Sequence, residues 1–172
     1  MLKEAGSFFA ITFVLFVGAY VYIYSQGGNP YTVFRPSHVV SRNATDYRNL
    51  ARQDAVNAGI DPDLFERQIQ QESGFNPNAI SQAGAIGIAQ ILPTTAVGWN
   101  VNPHDPIASL SAAAKAMAWY VYHYGSYEKG LVCYNAGCGA LDIALAECGT
   151  SWRACVPAET QRYITAIMGV QS

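Results

Sequence analysis

Residues 61–92 read DPDLFERQIQQESGFNPNAISQAGAIGIAQIL, and the first half of this stretch sets the reading of the whole chain. Asp61 followed by Pro62 is a helix start, an acceptor side chain at the N-cap and proline at the first helical position. The spacing predicts a helix from there to about Ser73. At intervals of three and four residues its inward face is Phe65, Gln68, Ile69 and Glu72. Asp63, Glu66, Arg67, Gln70 and Gln71 fall on the other side. One carboxyl group, Glu72, therefore ends an otherwise inward-facing stripe. Residues 74–92 are rich in Gly, Ser, Asn and Pro and read as a structured loop or short ribbon, with a short helix opening at Pro93.

Outward from this stretch the punctuation stays helical. Asp46 to Ala58 is a helix closed by Gly59. Asp105-Pro106 repeats the cap-and-proline signal ahead of a long helix. Its inward face reads Ile107, Leu110, Ala114, Met117, Ala118 and Val121, and Gly125 is its stop. Further helices are predicted over Tyr127–Tyr134, Ala140–Glu147 and Ala158–Met168. No long alternating run argues for a major sheet. The expected fold class is mainly α.

The chain has 172 residues and a formal net charge of −2. Its Lys and Arg residues are scattered singly, which excludes nucleic acid as the expected partner. Between Glu4 and Arg35 there is no charged residue, and Ser7 to Tyr24 (SFFAITFVLFVGAYVYIY) is almost wholly apolar. As a helix it would be roughly 27 Å long, close to the thickness of a hydrocarbon core. Tyr20, Tyr22 and Tyr24 suit a headgroup region. Residues 1–26 are accordingly expected to be a single transmembrane helix. A cleaved signal peptide is the competing reading, although its start is weakly basic and no small-residue cleavage site is evident. Residues 27–45, with paired glycines and two prolines, read as a linker, and residues 46–172 as the functional domain. Lys3 on one side against Arg35 and Arg42 on the other does not fix the orientation.

Cys133, Cys138, Cys148 and Cys155 all fall in the last quarter of the chain. Four cysteines beside a membrane-targeting segment suggest two disulfides and an oxidising compartment, and three pairings are open. No Cys-x-x-Cys pair supports a zinc site. His38, His104 and His123 gather no partners of the kind that make a nucleophile or metal set. No metal and no cofactor is expected.

A helical Glu is ordinarily solvated. Glu72 differs because it shares a face with Phe65 and Ile69, ends its helix, and precedes a flexible Gly-Phe-Asn-Pro segment that could line a cleft. A carboxyl group in apolar surroundings keeps its proton to higher pH and can act as a general acid. Cleavage of a glycosidic bond needs such an acid.

The run Glu72-Ser73-Gly74-Phe75-Asn76-Pro77, then Ser81, then Gly84-Ala85-Ile86-Gly87-Ile88-Ala89-Gln90-Ile91-Leu92-Pro93 resembles the signature of the soluble lytic transglycosylase (SLT) family. Downstream, Tyr134-Asn135-Ala136-Gly137 and Glu159-Thr160 with Tyr163-Ile164 resemble two further motifs of that family, in the same order. The resemblance covers roughly residues 46–170. It implies a lysozyme-like helical domain that cleaves peptidoglycan glycan strands after N-acetylmuramic acid and closes a 1,6-anhydro ring, with Glu72 as acid and then base. It also implies that Ser81 and Gln90 contact the sugar or its acetamide, that Tyr134 and Asn135 line the site, and that Tyr163 hydrogen-bonds Glu72. Gly84 and Gly87 would allow close approach of backbone to sugar or to a neighbouring helix.

The chain departs from the family in two places. Ala89 stands where the family usually has Met, which removes a large side chain over the sugar. Cys133 and Cys138 bracket the Tyr-Asn-Ala-Gly motif, where a disulfide would stiffen the cleft wall.

The expected partners are the peptidoglycan strand, the membrane through the N-terminal helix, and a larger envelope-spanning complex for secretion, conjugation or phage entry. The expected location is membrane-anchored with the catalytic domain outside the cytoplasm, on the periplasmic side, or on a virion membrane if the source is viral. A hydrolytic muramidase and a weakly active wall-binding subunit are the alternative functions.

Overall fold

The computed structural model describes residues 43–169. The expected anchor at 1–26 and nearly all of the linker lie outside them. Among the described residues, no helix is long and apolar enough to cross a membrane.

Seven α-helices are present among these residues: α1 (Ala44–Ala58), α2 (Pro62–Ser73), α3 (Pro93–Trp99), α4 (Pro106–Tyr124), α5 (Tyr127–Ala136), α6 (Cys138–Cys148) and α7 (Ala158–Met168). A 3₁₀ segment, Gly149–Cys155, joins the last two. Helix α4 packs on α1 and α5, while α2 packs on α1 and α7. The core between them holds Phe65 and Ile69 of α2, Leu110 and Met117 of α4, and Ile164 and Ile167 of α7, all fully buried.

The helix starts follow from their caps. Asp61 Oδ1 accepts the Asp63 and Leu64 N–H groups at 2.8 and 3.1 Å. Asp105 does the same for Ile107 and Ala108 at 3.0 and 3.1 Å. Each cap satisfies donors that the first helical turn leaves unpaired. The expected start of α1 at Asp46 is two residues late. Asn43 and Asp46 form a reciprocal capping box, with bonds of 3.0 and 3.1 Å, so the helix opens at Ala44.

Two other expectations need correction. Ile107 is 44% exposed: the buried stripe of α4 keeps Leu110, Ala114 and Met117 of the expected face and adds Ser109 and Ala113. Helix α5 continues past Tyr134 to Ala136, and α6 begins immediately after Gly137. Cys133 pairs with Cys138, bridging that junction as expected, and Cys148 pairs with Cys155 across the 3₁₀ segment. Of the three open connectivities the chain thus adopts one, the most local.

The segment between α2 and α3 is a ribbon of two isolated antiparallel bridges, Ile80 with Ile86 and Ile86 with Ile91. Its tight point is Gly87, at φ +76°. A Cβ there would sit 2.3 Å from the Pro103 carbonyl oxygen. The close approach of protein backbone at Gly87 is to the turn before α4. Gly84 has nothing within 4 Å of such a Cβ and serves only a turn at φ +79°. Substituting Gly87→Ala adds left-handed strain to a backbone clash, and a loss of about 2 kcal/mol or more is expected. Urea unfolding of the variant checks this, and an unchanged midpoint would contradict it.

Candidate active site

Glu72 occupies the last turn of α2, and the chain turns sharply just beyond it. Gly74 takes φ +62°, and Phe75, a buried non-glycine residue, takes φ +65°. Two left-handed residues in succession fold the chain back over the end of the helix. A left-handed Phe is strained, and such strain persists only where surrounding structure enforces it. Here the packed Phe75 ring, with the Arg48 guanidinium 4.5 Å from its centre, supplies that constraint.

The ribbon is then tied to α2 and α5 through its backbone. Ser73 Oγ donates to the Ile88 carbonyl at 2.7 Å, and Tyr134 Oη donates to the Ala89 carbonyl at 2.8 Å. Neighbouring carbonyls are thus held from two sides. Sequence reasoning missed Ser73, although its place next to Glu72 was the available signal.

Gln90 sits in the same turn at φ +48°. Its Nε2 donates to the Gly87 and Ala79 carbonyls at 2.9 and 3.3 Å, which leaves Oε1 outside those bonds. Ser81 Oγ accepts the Ala85 N–H at 3.0 Å and closes the other turn of the ribbon. Both residues shape the ribbon, and neither hydrogen-bonds Glu72. Ala89 is fully buried, so its side chain does not reach the surface of the cleft.

From the opposite side, α7 brings Tyr163 to Glu72, and the phenol hydroxyl donates to Oε1. This contact joins residues 91 positions apart. Tyr163 is buried, as is Thr160 one turn earlier, whereas Glu159 is exposed. Thr160 Oγ1 donates to Asn135 Oδ1 at 2.8 Å, fixing that exposed side chain at the end of α5. Thr160 was another residue missed, although it shares the Tyr163 face at a spacing of three. Beneath the site, Tyr127 Oη donates to the buried Gln68 Oε1 at 2.7 Å.

These surroundings decide the protonation of Glu72. Burial disfavours the charged carboxylate and pushes its pKa up to about 7, while the hydrogen bond from Tyr163 opposes that rise. No other carboxyl group contributes to the shift. In turn, burial first and then the nearby Glu72 charge push the Tyr163 and Tyr134 hydroxyls well up, so both remain neutral donors. The acid pairs of the region lie elsewhere. Arg52 binds Asp63 and Glu66 at 2.5 and 2.8 Å on the outer face of α2.

The structure thus brings Tyr163 onto Glu72 and Tyr134 within reach of its charge, ties Asn135 to α7 through Thr160, and keeps Gln90 and Ser81 in the ribbon. Fold and site define a small helical domain built around one sheltered glutamic acid.

A family described as Transglycosylase SLT domain matches residues 49–151, and the chain belongs to it. Among curated relatives, a transglycosylase of Enterobacteria phage PRD1 is 33% identical over 79 residues, 45% of this chain and 30% of that one. Membrane-bound lytic murein transglycosylase C of Histophilus somni (strain 2336) is 44% identical over 77 residues, 42% of this chain and 21% of that one. Both matches therefore cover less than a third of the relative's length. The fold is similar to that of the 70 kDa soluble lytic transglycosylase SLT70 of Escherichia coli. The TM-score is 0.64 at 22% identity, over 71% of this chain and 23% of that one.

A raised acid pKa has a stability consequence of definite sign. Folded, Glu72 keeps its proton up to about pH 7, against an ordinary value of 4.5. Between these limits the folded state binds more protons than the unfolded, so stability falls as pH rises through that window. The full penalty above pH 7 is up to about 3 kcal/mol. Glu72→Gln keeps an acceptor for Tyr163 and removes the charge. It should melt at higher temperature than the native chain at pH 8 and lose most of that advantage at pH 5. An equal gain at both pH values would reject the assignment.

Proposed function

We propose that this chain is a peptidoglycan lytic transglycosylase that cleaves the bond between N-acetylmuramic acid and N-acetylglucosamine and leaves a 1,6-anhydro-muramic product. The observation that carries the reading is a single sheltered acid, neutral near pH 7, with no second carboxyl group acting on it. Glycosidases that admit water generally employ two carboxyl groups flanking the bond, whereas substrate-assisted enzymes need one.

The steps follow from that inventory. Protonated Glu72 gives its proton to the bridging oxygen as the bond from that oxygen to muramic C1 breaks. The sugar's own acetamide oxygen stabilises the positive charge at C1. The Glu72 carboxylate then takes the proton from the C6 hydroxyl as O6 bonds to C1. Glu72 ends protonated again, and no water is consumed. Tyr163 holds the carboxyl group in one orientation through both transfers. Gln90, Asn135 and Ser81 are assigned to the sugar and its acetamide, and Tyr134 to the wall of the site.

Membership of the SLT family supports this reading, as do relatives named as a phage transglycosylase and a membrane-bound lytic murein transglycosylase. The Cys133–Cys138 and Cys148–Cys155 disulfides support a domain outside the cytoplasm. The apolar stretch Ser7–Tyr24 supports attachment to a membrane. We assign it the role of opening the wall locally for an envelope-crossing secretion, conjugation or phage-entry complex.

Digestion of purified sacculi should release fragments lighter by one water than hydrolysed ones. Glu72→Gln should lose cleavage by about 10²–10⁴-fold. Fragments with only reducing ends would instead assign a muramidase. Because cleavage requires protonated Glu72, kcat/KM should fall as pH rises through about 7. In Tyr163→Phe the bond that lowers this pKa is gone, so the fall should move to higher pH while the maximal rate drops. A lower rate with an unmoved profile would restrict Tyr163 to packing.

A further inference from the structure

A groove of about 520 Å³ lies beside α4, lined by Trp99, Lys115, Trp119 and Tyr120 together with the small Ala112 and Ala116. Neither its tryptophans nor its lysine figures in the chemistry of Glu72. Ala112, Ala116 and Tyr120 recur every four residues and so stack along one helix face. The two alanines leave that face shallow between aromatic rings.

Trp119 is 55% exposed. Its indole is stacked on the His123 ring, with centroids 4.9 Å apart and planes 7° from parallel, and Tyr120 packs against its edge at 5.6 Å. The ring is thus held in place while much of its surface faces solvent. An exposed, fixed indole is a surface on which an apolar face of a ligand gains contact without ordering cost.

The groove and the active site meet at one ring contact. The Trp99 ring lies 6.0 Å from that of Tyr134, whose hydroxyl binds the Ala89 carbonyl next to Gln90. Lys115 is the one charged side chain among the lining residues. It forms no ion pair within 4.0 Å among the described residues, although Asp54 of α1 lies within its electrostatic reach. Asn100 and Ser111 add neutral polar groups to the lining.

We propose that this groove is a distal subsite for the glycan strand, holding a further N-acetylated sugar against Trp119 while Lys115 takes a carboxylate of that sugar's stem peptide. The inference rests on the peptidoglycan reading of the active site. Pyranose rings present C–H faces that pack on an indole and hydroxyls that suit Asn100 and Ser111. A lipid chain would leave those polar groups unpaired. The strand bears carboxylates only on its stem peptides and muramic-acid lactyl linkages, and the free ones belong to the peptides. A lone cation at the groove matches them.

The test uses the full chain carrying Glu72→Gln, so that strands are bound without depending on turnover. Its affinity is measured for purified glycan strands with stem peptides and for the same strands after their peptide carboxylates have been converted to neutral amides. Adding Trp119→Ala, or filling the groove with Ala112→Leu, should weaken binding to both about tenfold. Adding Lys115→Ala should weaken binding about threefold for strands with free peptide carboxylates and leave the amidated strands unaffected.

In the otherwise native chain, Trp119→Ala should raise KM on sacculi and leave cleavage of a short soluble fragment unchanged. If the Glu72→Gln chain binds strands and all three groove variants bind equally well, the subsite is overturned while the peptidoglycan reading stands. If Trp119→Ala instead abolishes binding to anionic phospholipid vesicles with strand binding intact, the groove faces a membrane and the proposal fails. If the Glu72→Gln chain binds no strand and the native chain cleaves none, both readings fall.

Discussion

A carboxyl group surrounded by protein must either lose its proton at a cost or keep it. At the end of α2 the cost is high enough that Glu72 keeps it to about pH 7. Phe65 and Ile69 on the same helix face are fully buried, and Tyr163 reaches across from α7 to the carboxyl group. The other bonds of the site maintain that shelter. Ser73 and Tyr134 hold the ribbon by consecutive carbonyls, and Thr160 fixes Asn135 at the end of α5. A group that is unstable when charged has also been placed where its charge must come and go, so the domain gives up stability at the position where it acts.

One bond has opposed effects on that arrangement. Tyr163 lowers a pKa that burial raises, and it also restrains the carboxyl group. Without it the acid would be weaker and less well directed. With two such donors the group would ionise too readily to protonate a leaving oxygen near neutral pH. Both phenols near Glu72 keep their own protons, because burial and the adjacent acid suppress their ionisation. They therefore donate in either state of the acid.

The helices were largely legible in the sequence because their signals are local. Asp61-Pro62, Gly74, Asp105-Pro106 and Gly125 mark ends by the geometry of a single turn. The placement of Glu72 followed from helical spacing, and its link to Tyr163 from the family resemblance. What spacing could not supply was the pairing of side chains with distant backbone. The bond from Ser73 to the Ile88 carbonyl has no periodic signature, and neither does the fit of Gly87 against Pro103. Gln90 was expected at the sugar, yet its amide nitrogen is occupied by two carbonyls of its own ribbon. On α4 the expected face included the exposed Ile107 and left out the buried Ser109 and Ala113, because Ala and Ser carry little hydropathy signal. Other small residues of the same helix, Ala112 and Ala116, leave room for the groove beside Trp119.

Titration of Glu72 itself is the most direct test of a sheltered, protonated acid. Carbon-13 NMR of glutamate side-chain carboxyls, with Glu72→Gln used to assign the resonance, reports its midpoint without reference to activity. We expect one glutamate to titrate near pH 7, well above the others. A Glu72 midpoint close to 4.5 would mean that the carboxyl group is open to water, and the proposed acid would have no proton to give at neutral pH.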